Sequence, residues 1–176
     1  MGLSAAKGRE IAGVVAISLA ILLAASLLSH LPSDPSFLHQ STAARAVRNE
    51  IGIVGAQVSA AGYGFLGVTS LLLPVLLAGY GVRRLRKRPP VRVVGRGVGA
   101  LLLTASLPGL VHLLQARIPW RGETLETGGA FGLLLGDGLA ARMNLPGALV
   151  VLATAVLVGA VLLVQTSLGD LIAAWR

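Results

Sequence analysis

The chain has 176 residues, of which 55% are hydrophobic and only 12% charged, with a mean hydropathy of +0.81. A soluble domain carries about twice that share of charge and cannot bury so much apolar surface, so lipid must be the solvent for much of the chain. The absence of cysteine excludes disulfides, thiolate metal sites and thiol nucleophiles, and the net charge of +8 has to be read by position, because Lys and Arg set membrane orientation.

The first uncharged run, Ile11 to Leu31, matches the ~20 residues that a span needs. Lys7 and Arg9 precede it, and Pro32 and Asp34 end it. A signal peptide competes with this reading. Its apolar region is ~7–15 residues, however, and the small residues near Ala24–Ser26 lie inside the run rather than after it. An uncleaved first span is expected.

The second run lacks charge from Ile51 to Val82. Its first part, to about Ala61, is rich in Gly, Ala, Ser and Gln and reads as a helix entering from the outer interface. The membrane core then runs from Gly62 to Val82, with Tyr63 and Tyr80 expected near opposite interfaces. Pro74 is expected to kink this span. The third run is Gly97 to Leu114, interrupted late by Pro108-Gly109 and closed by Gln115 and Arg117. The fourth is Pro146 to Gln165, with Asn144 or Leu145 as its N-cap and Pro146 in its first turn.

Between these two runs, residues 128–144 combine Phe131, Leu133, Leu134, Leu135 and Leu139 with Asp137 and Arg142. The uncharged stretch is too short to cross, so it reads as an interfacial or re-entrant helix; a fifth span is the less favoured alternative. The expected fold class is an all-α membrane protein. It is a four-helix transmembrane bundle with an extra periplasmic interfacial or re-entrant helix, loop 83–96 on one side and loops 32–61 and 115–145 on the other.

Charge sets the orientation. Loop 83–96 holds Arg83, Arg84, Arg86, Lys87, Arg88, Arg92 and Arg96 and no acid. With Lys7, Arg9 and Arg176, that side is strongly basic against only Glu10 and Asp170. On the other side Arg45, Arg48, Arg117, Arg121 and Arg142 are balanced by Asp34, Glu50, Glu123, Glu126 and Asp137. The positive-inside rule puts the basic side and both termini in the cytoplasm. The cluster lacks interleaved aromatics, and Pro89-Pro90 argues against a continuous helix. It therefore reads as topogenic and lipid-contacting, with no direct DNA binding expected from it.

No motif for catalysis, cofactor or metal is found: there is no Walker-type loop, His-Glu-x-x-His or Gly-x-Ser-x-Gly. Gly95-Arg96-Gly97-Val98-Gly99 reads as helix packing rather than phosphate binding. His30, His39 and His112 are scattered and read as solvated or neighbour-bonded. Asp137 is the most notable acid, since a carboxylate in an apolar segment is costly and often functional; the plainer reading is a polar face toward water. Small residues recur at four-residue spacing in Ala16/Ala20/Ala24, Ala56/Ala60/Gly64, Gly95/Gly99 and Gly132/Gly136, a pattern that permits close helix approach.

The order of features resembles the N-terminal four-helix membrane region of the FtsK/SpoIIIE family of DNA translocases. The first span opens Gly8-Arg9-Glu10-Ile11 and is followed by Ser29-His30-Leu31-Pro32-Ser33-Asp34-Pro35-Ser36-Phe37. This is similar to the family's Ser-Tyr-x-x-x-Asp-Pro-Ser-Phe run, with His30 in the aromatic position. Asn49-Glu50-Ile51-Gly52-Ile53-Val54-Gly55-Ala56 and Leu71-Leu72-Leu73-Pro74 resemble the entry and middle of its second helix. Gly128-Gly129-x-x-Gly132 and Leu145-Pro146-Gly147-Ala148 resemble its second outer loop and fourth helix.

The resemblance implies a membrane anchor at the division septum of the bacterial cytoplasmic (inner) membrane. It implies contact with divisome proteins and homo-oligomeric assembly around a hexameric motor. The ATPase motor itself is expected outside this chain, so enzymatic activity and cofactors are not expected of it. Asp34, Pro35, Ser36 and Phe37 read from their own chemistry as an Asx-type turn holding the outer loop to the bundle, with partner binding as the alternative. A small four-span transporter or channel subunit is the competing functional reading, motivated by Asp137, His112 and the Pro-broken spans; a membrane-embedded enzyme is the least favoured.

Overall fold

A computed structural model describes residues 5–38, 47–86 and 93–164. His39, Arg45, Lys87, Arg88, Pro89, Pro90, Arg92, Gln165, Asp170 and Arg176 lie outside the described residues. Four helical runs are long and apolar enough to cross a bilayer: Lys7–Leu28, Gly52–Leu85, Val94–Leu114 and Gly129–Val164. The fold is the expected all-α membrane architecture, and it divides into two compact units.

The first unit is formed by residues 1–64, 70–89 and 119–125. Helix α1 (Ala5–Leu28) is ~36 Å long, enough to cross alone. It stops three residues before its uncharged run does, because Ser29 and His30 turn into a buried polar cluster. The second run begins as α2 (Gly52–Leu66), passes through a 3-10 turn (Gly67–Leu71), and continues as α3 (Leu72–Leu85).

Pro74 does not supply the expected kink. The helix is reset upstream, where Gly67 adopts φ +62°. Pro74 then falls in the first turn of α3, where a missing N–H has no intrahelical role. Helices α1 and α3 pack closely. A Cβ on Gly81 would lie 2.7 Å from Ile17 Cγ1, and one on Gly13 would lie 2.9 Å from Leu85 Cδ2. At the other end Leu27 sits against Gly62. These paired contacts fix an antiparallel arrangement. Ala16 and Ala20 are buried in α1, as are Ala56 and Ala60 in α2.

The second unit is formed by residues 65–69, 90–118 and 126–176. Helix α4 (Val93–Leu114) runs through Pro108 and Gly109 without interruption, contrary to the sequence expectation. Pro108 is fully buried there, and Gly109 is a close-approach point facing Leu152 and Gly136. Gly99 faces the backbone of Gly159 and Leu163, whereas Gly97 faces open space.

Two short strands, β1 (Arg117–Trp120) and β2 (Glu123–Glu126), form a hairpin that composition did not suggest. Its turn residues Arg121 and Gly122 both have positive φ, as a two-residue type I′ hairpin requires.

The next segment starts as α5 (Gly129–Phe131), widens into a π-helix (Gly132–Asp137) and continues as α6 (Gly138–Val164). Within α6, Asn144 has φ 58° and ψ 168°, which separates residues 129–143 from the last span. The extra helix of residues 128–144 is therefore distinct from that span. The break lies at the residue expected to cap it.

Candidate functional site

A helix leaves its last four carbonyls without intrahelical donors, and in a membrane protein these must be satisfied by something other than lipid. The C-terminus of α1 meets this requirement with side chains from distant parts of the first unit. Ala25 O accepts Ser29 N at 3.0 Å and Ser29 Oγ at 2.7 Å. Ser26 O accepts Asn49 Nδ2 at 2.8 Å, and Leu27 O accepts the Tyr63 hydroxyl at 3.1 Å. Leu28 O accepts Arg121 Nη2 at 2.8 Å, and His30 O accepts Trp120 Nε1 at 3.1 Å. Arg121 also places a positive charge at the negative end of the helix dipole.

Tyr63 is therefore buried as a cap of α1, at the opposite end of the first unit from Tyr80, with its ring turned inward rather than out on the helix surface. Tyr80 is partly exposed. It accepts from Arg84 Nε at 2.9 Å, and the guanidinium lies 5.1 Å from its ring centroid, a cation–π contact that suits the basic interface.

The His30 ring stacks on Tyr63 with centroids 4.4 Å apart and planes 18° apart, and Trp120 meets Tyr63 at 6.2 Å with its ring tilted by 47°. His30 thus fills the aromatic position with an aromatic contact. Its Nδ1 lies 3.0 Å from Ser59 Oγ, and Ser59 is fully buried. Burial holds the His30 imidazole below its ordinary value of 6.5, while the carboxylates of Asp34 and Glu123 pull the other way.

Asp34 is the second anchor of this cluster. Its carboxylate accepts Arg48 N at 3.1 Å and Asn49 N at 2.9 Å. This is a clasp between residues fourteen and fifteen apart, not the local Asx-turn expected from the sequence. Asn49 then uses all of its side chain. Nδ2 donates to Ser26 O, and Oδ1 accepts Ile51 N at 3.1 Å. Ser29 Oγ accepts Glu50 N at 3.1 Å, and Ser26 Oγ donates to Gly55 O at 2.8 Å. A Cβ on Gly55 would collide with the Asn49 carboxamide, which explains glycine at that position.

The two stretches quoted above, around Ser29–Phe37 and Asn49–Ala56, are therefore two halves of one hydrogen-bonded joint. Pro35 and Ser36 lie within it, Ser36 being buried. Phe37 is half-exposed, with its N–H donating to Gln57 Oε1 at 2.9 Å.

Of the basic loop, Arg83 and Arg84 form the last turn of α3, Arg86 caps it, and Arg96 lies inside α4. In the second unit, Asp137 Oδ1 lies 3.3 Å from His112 Nε2. Sequence spacing gave no hint of this pair, since the two residues stand on separate helices. Among the described residues no group of three or more His, Asp or Glu could hold a metal.

A family model described as the 4TM region of DNA translocase FtsK/SpoIIIE matches residues 5–176. The chain belongs to this family. No solved structure matches it. As a member of the FtsK/SpoIIIE 4TM family it is a multi-pass membrane region, distinct from the motor of those translocases. The α1 cap, made by the motifs that carry the resemblance, is a structural joint on the side opposite the Arg83–Arg86 turn. It presents Phe37 and the Arg121 turn outward, and its own polar atoms are consumed internally.

Proposed function

We propose that the chain is the membrane-anchoring and divisome-interaction domain of an FtsK-like DNA translocase, acting in cell division and chromosome segregation. The family match across residues 5–176 carries the reading. Lys7, Arg9, Arg83, Arg84, Arg86 and Arg96 face the cytoplasm, where the chain's termini lie and the motor works. The basic turn contacts anionic headgroups rather than DNA. The outer loops 32–61 and 115–145 contact divisome proteins, and the domain assembles with copies of itself around the motor. The rigid cap at the end of α1 supports this role, because a buried polar joint holds the outer loop in one shape for recognition.

A fluorescent fusion in dividing cells tests the proposal. Enrichment at the septum is expected, and uniform membrane signal would refute it. The transporter reading has the His112–Asp137 pair in its favour. Solute flux lost on Asp137→Asn and His112→Ala, with septal enrichment absent, would favour that reading.

A further inference from the structure

We propose that the π-helical segment Gly132–Asp137 is a two-position register switch, latched in its wide form by the contact between Asp137 and His112. Four observations within the second unit converge on this.

The segment is a full run of π-helix, not a single wide bond, and such turns are a recognised site of functional rearrangement. His112 is seated on it glycine by glycine. A Cβ on Gly128 would lie 2.8 Å from His112 Cβ, one on Gly132 2.9 Å from the same atom, and one on Gly136 3.3 Å from His112 Cδ2. In an α-helix, positions four apart drift by about 40° per step, so three of them leave a common line. The wider π turn offsets that drift and keeps all three glycines under the imidazole.

The latch has one buried and one open half. The His112 side chain is 11% exposed and that of Asp137 60% exposed. Anything outside the protein that neutralises the carboxylate therefore acts on the buried ring through one contact. The seat is also incompletely satisfied. Among the described residues buried His112 Nδ1 has no hydrogen-bond partner, which is a cost to this arrangement. The wide form gains the Asp137 contact and leaves Nδ1 unpaired. The α-helical form releases the ring to find a partner for Nδ1 and gives up Asp137.

The change would rotate residues 129–131 relative to α6 within this unit. The one charged residue in α6, Arg142, is engaged with Gly138 O at 2.8 Å, and Arg117 and Glu126 pair with each other at 3.6 Å. Among the described residues these leave Asp137 as the acid that faces His112.

Spin labels at Leu134→Cys and Leu101→Cys, both exposed positions of this unit, report the register in the full chain in lipid nanodiscs. One dominant distance is expected for the parent. Asp137→Asn, at an exposed position that leaves folding intact, should raise a minor second distance about fivefold. With the label at Leu133→Cys in both chains, deleting Leu134 should convert the parent's population wholly to the second form. An unchanged distribution in Asp137→Asn would overturn the proposal. So would a deletion variant that keeps the parent's distance.

Discussion

Removing the Asp34 carboxylate should unfasten the outer joint. Asp34 is 5% exposed and accepts two backbone N–H groups, from Arg48 and Asn49. A hydrogen bond to a charged acceptor contributes about 1.5–3 kcal/mol, and a buried donor left unpaired costs about 1–3 kcal/mol. Arg48 is exposed and can find water, whereas Asn49 is buried and cannot. The cost of Asp34→Ala is therefore set mainly by Asn49 and comes to about 3 kcal/mol. For a chain of this length that lowers Tm by about 6–12 °C.

Asp34→Asn should recover less than half of this, because its amide group sets a donor against a donor. Thermal unfolding in detergent reads the first effect, and amide hydrogen exchange at Arg48 and Asn49 reads its location. A Tm within 2 °C of the parent, to be judged against the about 6 °C minimum expected, with unchanged exchange at both amides, would refute the clasp.

Two further outcomes follow from the same geometry. His30 is held neutral by burial, so the unfolded chain binds a proton more readily than the folded one. Stability should be full above pH 6.5 and should fall as pH drops below it; His30→Phe should keep the stack on Tyr63 and flatten that loss in a Tm-against-pH series. Gly81→Ala should cost about 1–3 kcal/mol by forcing α1 from α3 at Ile17 and Gly13, measured by denaturant unfolding, while Gly79→Ala, which meets open space, should not.

The spans were legible because charge is absent over runs of membrane length and returns at their ends. The break before residue 145 was legible in Asn144-Leu145-Pro146. Local signals failed where geometry depends on distant partners. The burial of Tyr63 was not legible because the sequence cannot show that Leu27 O needs a donor. Asp34 looked like a local turn because its partners return only at Arg48 and Asn49. The reset of the second span at Gly67 was hidden behind Pro74, the stronger helix-breaking letter, although Gly67 alone reaches positive φ there.

The hairpin had a faint mark in Arg121-Gly122 between two short runs, weaker than an Asn-Gly or Asp-Gly pair. The role of His30 was half legible. It read as solvated or bonded to a neighbour, but neither the Ser59 partner, twenty-nine residues away, nor the stack on Tyr63 showed.

Topology is the claim on which the rest stands, and the natural absence of cysteine makes it directly measurable. Single-cysteine variants Phe37→Cys, Glu123→Cys and Arg86→Cys, treated with a membrane-impermeant maleimide in intact spheroplasts, report which side each residue faces. Labelling of Phe37→Cys and Glu123→Cys from outside, with Arg86→Cys reacting only after permeabilisation, is the predicted result. Labelling of Arg86→Cys in intact spheroplasts would contradict it.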